Sequence, residues 1–555
     1  MTFVFRYMVA SLGACFFLGT LHAQEETLEF VSPFDFPLKL SANFGELRTG
    51  HLHGGLDIKT EGTVGKPVRC IADGYVSRAT VSNGGFGQAI YVTHPNGMTS
   101  VYGHILGFAP AVAKIVEEYQ YEHETYEADL RFEPRRINCK VGDIIAFSGN
   151  EGFSFGPHLH LELHTEEGEL VDPMPYYRNK ITDTAPPKAI RIKVYPQRGE
   201  GVVNGSQQEW SVPLEELNRP IEAWGKIALG VSANDYMDGT TNHYGVKQIT
   251  LSMDTTEIFK SLVESFRHLD NRFINAWTDF TEQEEHNRWV MRSHILPGNR
   301  LGLLRAKDRG IVDIREERDY LFTYFLEDGH GNTAVCRFTI RGVPQQIVPY
   351  RPEAAHYLVW DRPNFVQEPG MELLIPRGML SEDVALNSRV LKDSAAISFT
   401  YQLNDKVVPL NGDCRLRIGI RRLPVADTAK YYIARKHKGR ITSAGGIYEN
   451  GWITANIREL GTYTAAIDTV GPKITPQNRK SWATGNIRFH VGDAGVGVKS
   501  YRVTVDGRFE VFGYNAKNGV LFMKYPSRLR KGIPHQLTVI AIDHSGNETR
   551  QTYGF

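Results

Sequence analysis

Short apolar runs separated by turn-forming residues dominate residues 24–182 and limit the fold most strongly. Runs such as "QAIYVTH" and "GDIIAFSG" have the length of single strands, and "NGGFG" and "HPNG" are typical turn sequences. This pattern predicts a compact antiparallel β domain. One segment differs: from Pro110, apolar residues recur at helical spacing over about 110–121. We expect this helix to lie in an insertion between two strands, at about 109–128.

The rest of the chain is also mostly β in character. A chain of 555 residues is too long for one hydrophobic core, so two to four domains are expected. The sequence "TDTAPPK" at 182–188 is typical of a linker. We therefore expect a mainly β protein, in which an N-terminal antiparallel-sheet domain (24–182) precedes about three β sandwiches. The first and last of these are expected to be immunoglobulin-like, and the three span residues 183–345, 346–468 and 469–555.

A weak internal repeat relates the two immunoglobulin-like regions. "YGVKQITLSMD" ends at Asp254 and "VGVKSYRVTVD" ends at Asp506, and each aspartate lies nine residues after the first glycine of Gly-Val-Lys. Such aspartates more often form turns than bind metal. Calcium binding remains an alternative at this stage.

The N-terminus predicts export. Arg6 precedes an apolar run that ends in "LHA" at Ala23, which is typical of a signal peptide over residues 1–23. A lipobox at "LGAC", ending in Cys15, is an alternative, but apolar residues continue beyond it. We expect the mature protein in the periplasm or at the cell envelope.

Composition excludes some functions. Lys+Arg and Asp+Glu are equal at 63 each, so net charge gives no argument for a nucleic-acid partner. None of the cysteines beyond the signal peptide forms a Cys-x-x-Cys pair, which disfavours a cysteine-type zinc site. Cys70 and Cys139 could form a disulfide or remain buried thiols, and the sequence leaves both readings open.

Two histidine-containing segments stand out, "HGGLD" at 53–57 and "HLHLEL" at 158–163. On extended strands, side chains two residues apart share a face, so His53 and Asp57 point the same way, as do His158 and His160. Two histidines and one carboxylate form a typical catalytic zinc set that leaves a position for water. Spacing alone does not exclude ordinary surface or core histidines.

Residues 41–177 resemble the lysostaphin-like (LytM-type) zinc metallopeptidases, which cleave peptides of bacterial cell walls. The resemblance rests on segments that follow one another in the family's order: His-x-Gly-x-Asp at 53–57, "ADGYV" at 72–76, "GGFGQAIYVTHPNG" at 84–97, Tyr-x-His at 102–104, "VGD" at 141–143 and Gly-Pro-His-Leu-His-Leu-Glu at 156–162.

The resemblance implies a zinc site with two further catalytic histidines: the metal ligands His53, Asp57 and His160, and the unliganded catalytic residues His104 and His158. His51 lacks the motif's spacing to Asp57 and is not expected to bind zinc. His94 and His164 are expected to be structural or surface residues. Glu162 is either a hydrogen-bond partner of a ligand or only a strand-end carboxylate.

The implied chemistry is hydrolysis by a zinc-activated water. One of His104 and His158 would act as general base while the other stabilises the oxyanion, and the sequence does not decide between them. Two features depart from the family. Phe155 replaces a small residue before Gly-Pro-His, and the helical insertion either caps the cleft or is a peripheral decoration.

The sequence therefore predicts a zinc metalloendopeptidase acting on peptidoglycan peptides, with no nucleic-acid partner. The alternatives are a non-catalytic regulator that binds a cell-wall amidase, and a protease of protein substrates. Regulators of that kind typically lose zinc ligands, whereas the motif here is complete. The C-terminal β domains could bind glycan or a partner protein, or act as a spacer. The scissile bond and the oligomeric state are left open.

Overall fold

The computed structural model describes residues 29–351 and 353–555. The predicted signal peptide (1–23) and the lipobox alternative at Cys15 lie outside the described residues. None of the helices in these two ranges combines the length and the apolar character that crossing a membrane requires. The described chain is built mainly from antiparallel strands, as expected from the sequence.

The N-terminal region contains β1 (Leu40–Ala42), β2 (Leu47–Arg48), β3 (His51–Leu52), β4 (Leu56–Lys59), β5 (Pro67–Arg69), β6 (Gly74–Val81), β7 (Gln88–Thr93), β8 (Thr99–Gly103), β9 (Gly107–Phe108), α1 (Pro110–Glu122), β10 (Ala128–Arg131), β11 (Asn138–Cys139), β12 (Ile144–Phe147), β13 (His158–His164), β14 (Leu170–Val171) and α2 (Met174–Tyr177). The second region contains β15 (Lys188–Val203), β16 (Trp210–Pro213), β17 (Ile221–Asn234), β18 (Gln248–Met253), β19 (Thr256–Leu262), β20 (Ser265–Phe266), α3 (Ile274–Trp277), α4 (Phe280–His286), β21 (Met291–Arg292), β22 (Leu304–Ala306), β23 (Val312–Ile314), β24 (Asp319–Glu327) and β25 (Thr333–Gly342).

The third region contains β26 (His356–Leu358), β27 (Asn364–Glu368), β28 (Met371–Ile375), β29 (Val384–Leu386), β30 (Arg389–Leu391), β31 (Thr400–Gln402), β32 (Val408–Gly419), β33 (Tyr431–His437), β34 (Arg440–Ser443), β35 (Ile447–Glu449), β36 (Trp452–Leu460) and β37 (Thr462–Ile467). The fourth region contains β38 (Lys473–Gln477), β39 (Arg488–Gly492), β40 (Val498–Val505), β41 (Arg508–Phe509), β42 (Phe512–Asn515), β43 (Val520–Met523), β44 (Gln536–Asp543) and β45 (Glu548–Gly554).

The central sheet of the N-terminal region has the strand order β1-β4-β13-β8-β7-β6-β10, and neighbouring strands are antiparallel. Strands β4 and β13 pair in a register that places His160 opposite Asp57. Leu159 and Leu161 are fully buried on the core side of β13. Because side chains alternate along a strand, His158 and His160 lie on the opposite face.

The predicted helix is present as α1, which begins at Pro110 in the first turn, where the missing amide hydrogen costs nothing. Val112 and Val116 are buried against the N-terminal region and Ile115 is partly buried, so the helix packs through the face that its apolar spacing indicated. The insertion is therefore an ordered part of the fold.

The second region is joined closely to the first. All of its strands except β20 form one connected ten-stranded sheet, in which the long strand β17 pairs with β15 and, in parallel, with β25. Strand β14 of the first region pairs with β20 of the second. Buried side chains of both regions form one continuous hydrophobic cluster. The predicted boundary near residue 183 thus lies next to a shared core.

The third and fourth regions each pack two sheets around a separate core. The sheets have five strands each in the third region and four each in the fourth. The repeat aspartates occupy matching turns, since the backbone amide and Oδ1 of Asp254 bond the backbone of Leu321, and those of Asp506 bond the backbone of Gln536. Both have a left-handed φ, 53° and 51°. Asp254 and Asp506 thus form turns, the more common role of such aspartates.

Candidate metal centre

Two paired strands and one loop bring the predicted ligands together. Asp57 lies on β4, His160 lies opposite it on β13, and His53 lies in the loop between β3 and β4. Position 55 requires glycine because a Cβ there would lie 2.3 Å from the carbonyl oxygen of Leu161. Glycine at this position therefore lets the loop pack directly against the backbone of β13.

The ligand atoms of the three residues converge in a buried site. The Nδ1 atom of His160 lies 2.7 Å from Oδ1 of Asp57 and 3.0 Å from Nε2 of His53. The Nε2 atom of His53 lies 3.1 Å from the same Asp57 oxygen. One ligand atom from each residue lies within 4.8 Å of the others, so the three residues could hold a metal ion.

Hydrogen bonds on the far side of each ring fix which nitrogen faces the site. The Nδ1 atom of His53 lies 2.7 Å from the Asn43 carbonyl oxygen, and Nε2 of His160 lies 2.9 Å from Oε1 of Glu162. Because both partners are acceptors, each ring donates outward and, when neutral, presents a lone pair inward. With Asp57 Oδ1, three acceptors then face one another, an arrangement that a cation or added protons must satisfy.

The pKa values of His53, His160 and Asp57 agree with a site that needs a cation or added protons. Burial lowers the pKa of His53 and keeps its ring neutral. Burial acts in the same direction on His160, but hydrogen bonds to Asp57 and Glu162 outweigh it and raise the pKa of His160 to about 9. Burial would raise the pKa of Asp57, but the three surrounding histidines hold it well below its usual value. A metal that binds here therefore displaces a proton from His160.

The two predicted catalytic histidines lie beside the site with one free nitrogen each. His158 directs Nδ1 at the Gly156 carbonyl oxygen, 2.8 Å away, and its Nε2 lies 3.4 Å from Asp57 Oδ1. His104 directs Nδ1 at the Glu151 carbonyl oxygen, also at 2.8 Å. The ring centroids of His104 and His158 are 4.8 Å apart. His104 has a left-handed φ of 58°, a conformation that is uncommon outside glycine and is found at functional sites.

Glu162 is a hydrogen-bond partner of His160, the predicted ligand, and is not merely a carboxylate at the end of a strand. It is 2% exposed and accepts from Nε2 of His160 and, at 2.7 Å, from Nε2 of His164. Burial would raise the pKa of Glu162, but these two hydrogen bonds hold it below its usual value. The carboxylate therefore fixes the orientation and tautomer of His160.

Two contacts to the ligands were missed by sequence reasoning. Arg48 donates from Nη2 to Asp57 Oδ2 at 3.0 Å, which leaves Oδ1 for the imidazoles. The Asn43 carbonyl oxygen, which orients His53, is a backbone atom and has no sequence signal. Arg48 lies only nine residues before Asp57, but its pairing depends on the β2–β3 hairpin rather than on any periodicity.

Comparison with known proteins finds two family matches, each within one of the regions described above. Residues 51–120 match the model for peptidase family M23, and residues 355–468 match the Zu5-like domain. The chain is 30% identical over 141 residues to the DD-carboxypeptidase/endopeptidase Mpg of Neisseria meningitidis serogroup B, which covers 24% of this chain and 26% of that protein. The N-terminal region is a LytM-type peptidase domain.

Two further similarities concern the peptidase domain. The glycyl-glycine endopeptidase ALE-1 of Staphylococcus capitis is 30% identical over 120 residues, which covers 21% of this chain and 27% of that protein. The solved catalytic domain of lysostaphin from Staphylococcus simulans is 24% identical, with a TM-score of 0.19, over 25% of this chain and 91% of that one. The matched stretch thus spans about a quarter of the length of the curated relatives named here.

The other histidines of the peptidase domain lie away from the three ligand atoms, and its two cysteines are free. His51 is exposed and contacts the Thr49 carbonyl oxygen. His94 is buried and bonds the Asp73 carbonyl oxygen and the Ser100 hydroxyl, so it is structural. Cys70 and Cys139 are buried free thiols in this structure, not a disulfide.

The fourth region reaches the peptidase domain next to the site, which the sequence did not indicate. Phe155 is 95% exposed, and Nζ of Lys517 lies 3.5 Å from its ring centroid. The same Nζ donates to the Ser154 carbonyl oxygen at 2.6 Å. Ser154 in turn places its hydroxyl 3.1 Å from Nδ1 of His158. Lys517 thus holds the loop that precedes the Gly-Pro-His motif.

The fourth region also contacts α1 directly. Arg528 pairs with Glu117 at 2.9 Å, Tyr525 donates to Gln120 at 2.7 Å, and Tyr121 bonds Glu510. The helix is therefore held between the peptidase sheet and the fourth region.

Proposed function

We propose that the protein is an exported zinc metalloendopeptidase that hydrolyses peptide cross-links of bacterial peptidoglycan. The observation that carries this proposal is the convergence of His53 Nε2, His160 Nδ1 and Asp57 Oδ1. Two imidazoles and one carboxylate are the donor set of many catalytic zinc sites. Zinc held by these residues would supply Lewis acidity toward the scissile carbonyl and lower the pKa of a water molecule.

The histidines beside the ligands divide the proton handling between them. Burial, together with the neighbouring rings of His160 and His158, lowers the pKa of His104 to about 3, which makes its ring a weak base. His158 carries its proton on Nδ1 toward Gly156 and has Nε2 free, 3.4 Å from Asp57 Oδ1. We assign proton abstraction from the attacking water to His158, and orientation of the water or substrate to His104.

The substrate class rests on the relatives. Mpg is named a DD-carboxypeptidase/endopeptidase and ALE-1 a glycyl-glycine endopeptidase. Both names describe cleavage of peptide bonds, and short peptides of the cell wall fit the exported location that residues 1–23 predict. The complete ligand set favours catalysis over a purely regulatory role.

The experiment is digestion of isolated sacculi by the full-length mature chain. We expect soluble muropeptides from the wild type, no release after chelation, and recovery when zinc is restored. His160→Ala should lose both bound zinc and activity, because it removes a ligand. His51→Ala is the matched control and should retain both.

Three results would contradict the proposal. Cleavage of casein but not of sacculi would favour the protein-protease alternative. Chelator-resistant cleavage would exclude metal catalysis. Full zinc occupancy in His160→Ala would show that the ligand assignment is wrong.

A further inference from the structure

Three aspartates converge where the linker from the peptidase domain enters the second region. Asp183 lies in the linker, Asp235 directly follows β17, and Asp328 directly follows β24. One carboxylate oxygen of each lies within 4.8 Å of the others. Asp235 and Asp328 are both 0% exposed. This is therefore not a solvated acidic patch, and the charges must be compensated from within the protein or by a bound ion.

Hydrogen bonding compensates only one of the three aspartates fully. Asp328 accepts from three backbone amides through Oδ1 and from the Asn332 side chain through Oδ2. Asp183 accepts from the Ala185 amide through Oδ1, while its Oδ2 has no hydrogen-bond partner in the described chain. Neither carboxylate oxygen of Asp235 has one among the described residues. These unpartnered oxygens of Asp183 and Asp235 thus lie in the same cluster in which carboxylate oxygens of all three residues come close together.

His330 also lies at this site, but it supplies too little charge. Its Nε2 donates to the Ile181 carbonyl oxygen, and its Nδ1 lies 3.3 Å from Oδ2 of Asp183. Even a protonated His330 would add one positive charge against three carboxylates. The remaining charge matches a divalent cation.

Without a cation the site is electrostatically unfavourable, because three carboxylates lie close together in a buried position and both oxygens of Asp235 lack a hydrogen-bond partner in the described chain. A divalent cation would compensate these charges.

We propose that Asp183, Asp235 and Asp328 bind a calcium ion that fastens the interdomain linker to the second region. The converging ligand atoms are all carboxylate oxygens, the donors that calcium takes in proteins. Neither family match covers these residues, because the matches span 51–120 and 355–468.

A related cluster in the fourth region serves as an internal comparison. Asp468, Asp493 and Asp543 also have oxygens within 4.8 Å of one another. Here, however, backbone amides of Val470 and Val496 donate to Asp468, and those of Gly495 and Gly497 donate to Asp493. Asp543 is bonded by Asn547. Because hydrogen bonds already satisfy these carboxylates, we do not extend the proposal to this cluster.

Calcium at the first cluster would act on the junction between the two regions. The turn that contains Asp328 also contacts the peptidase domain, since Arg178 donates to the Gly329 carbonyl oxygen at 2.8 Å and His330 bonds the Ile181 carbonyl oxygen. An ion that joins Asp183 to this turn and to Asp235 would tie together three separate segments. We therefore expect calcium to stabilise the folded chain and to protect the linker from proteases.

The test is calcium titration of the zinc-loaded, full-length chain after removal of calcium with EGTA and readdition of zinc. Calorimetry at neutral pH, up to about 10 mM calcium, covers the affinities of extracellular calcium modules. We expect one calcium ion per chain and a Tm that rises with calcium concentration, because the ion binds only the folded state. Magnesium should bind at least tenfold more weakly.

Two substitutions separate this site from its comparison cluster. Asp235→Asn should weaken calcium binding at least tenfold and raise the Tm of the calcium-free chain, because it removes an ionisable group from a buried position with little change in shape. Asp493→Asn is the matched control and should bind calcium like the wild type. If Asp235→Asn does not fold, Asp183→Asn in the linker replaces it, and the same loss of binding is expected.

Four outcomes would overturn the proposal. They are no calcium uptake by the wild type at about 10 mM, unchanged affinity in both site variants, loss of the single ion in Asp493→Asn, and tighter binding of magnesium than of calcium. The calcium titration does not measure peptidoglycan cleavage. Its result is therefore independent of whether the proposed function is correct.

Discussion

Replacement of Glu162 by glutamine tests whether this carboxylate tunes the metal ligand beside it. Glu162 is not one of the three proposed zinc ligands, but it is 2% exposed and accepts a hydrogen bond from His160 Nε2 at 2.9 Å. A glutamine carbonyl can still accept that hydrogen bond. The substitution therefore removes the negative charge but retains the hydrogen bond that orients His160. Any loss of zinc affinity then reports the effect of the charge alone.

The expected loss of zinc affinity follows from the burial of Glu162 and from its second hydrogen-bond partner, His164. Substitution of a carboxylate that orients a metal-bound histidine typically weakens metal binding by about 10- to 100-fold. Here His164 also donates to Glu162, at 2.7 Å, so part of the negative charge is already compensated. We expect the lower end of that range, about tenfold, which corresponds to a loss of about 1.4 kcal/mol in the binding free energy of zinc.

The assay is competition for zinc between the purified chain and a chromophoric chelator at neutral pH. Glu169→Gln is the matched control: the same chemical change on a nearby carboxylate, which bonds the Ser265 hydroxyl and does not contact His160. The control should bind zinc with wild-type affinity. Thermal unfolding of the zinc-free chains shows whether either substitution also changes the stability of the fold.

Two results would refute the reasoning. Zinc affinity within twofold of wild type in Glu162→Gln would show that the charge of Glu162 does not act on His160. An equal loss in Glu169→Gln would show that any nearby carboxylate has the same effect.

The remaining predictions concern catalysis, the insertion and pH. His158→Ala should keep its zinc by metal analysis while hydrolysis of muropeptides falls by about a hundredfold, the scale of a lost general base. Deletion of 109–128 should lower the Tm of the whole chain, because it removes contacts of α1 to both the peptidase sheet and the fourth region. In the absence of calcium, the folded-state pKa of Asp235 lies at about 8, above its ordinary value of 3.8, so the folded state keeps a proton that the unfolded chain releases. Wild-type stability relative to Asp235→Asn, from urea unfolding, should therefore fall as pH rises from about 4 to 8, and calcium should reduce the difference.

Much of the site could be predicted from the sequence because it depends on local rules. Strand alternation correctly placed His158 and His160 on one face of β13. The same argument paired His53 with Asp57, which do converge, although His53 lies in the loop before β4. The register that sets Asp57 opposite His160 is a long-range property of two strands a hundred residues apart, and only the family resemblance supplied it.

Two of the contacts that sequence reasoning missed act through a backbone atom or across a long sequence separation. The Asn43 carbonyl oxygen leaves no trace in the side-chain pattern. Lys517 contacts Ser154 across 363 positions, and the surface charge of one lysine predicts no particular partner.

The aspartate cluster did have a signal. "TDTAPPK" and "IDTVGPK" precede the second and fourth regions, and "DGHGN" and "DHSGN" follow matching strands, so the repeat was longer than the Gly-Val-Lys segment suggested.

The contacts of α1 bear on whether the insertion opens as a lid or forms a fixed wall. A lid must exchange its closed contacts for solvent or for other contacts, and mobile segments have few buried apolar contacts. Helix α1 instead buries Val112 and Val116 against the peptidase domain and pairs Glu117 and Tyr121, which lie on a different face, with the fourth region. Opening it would separate both surfaces at once. The arrangement therefore favours a fixed wall, and access of large substrates would be set by how the fourth region docks rather than by a hinge within the insertion.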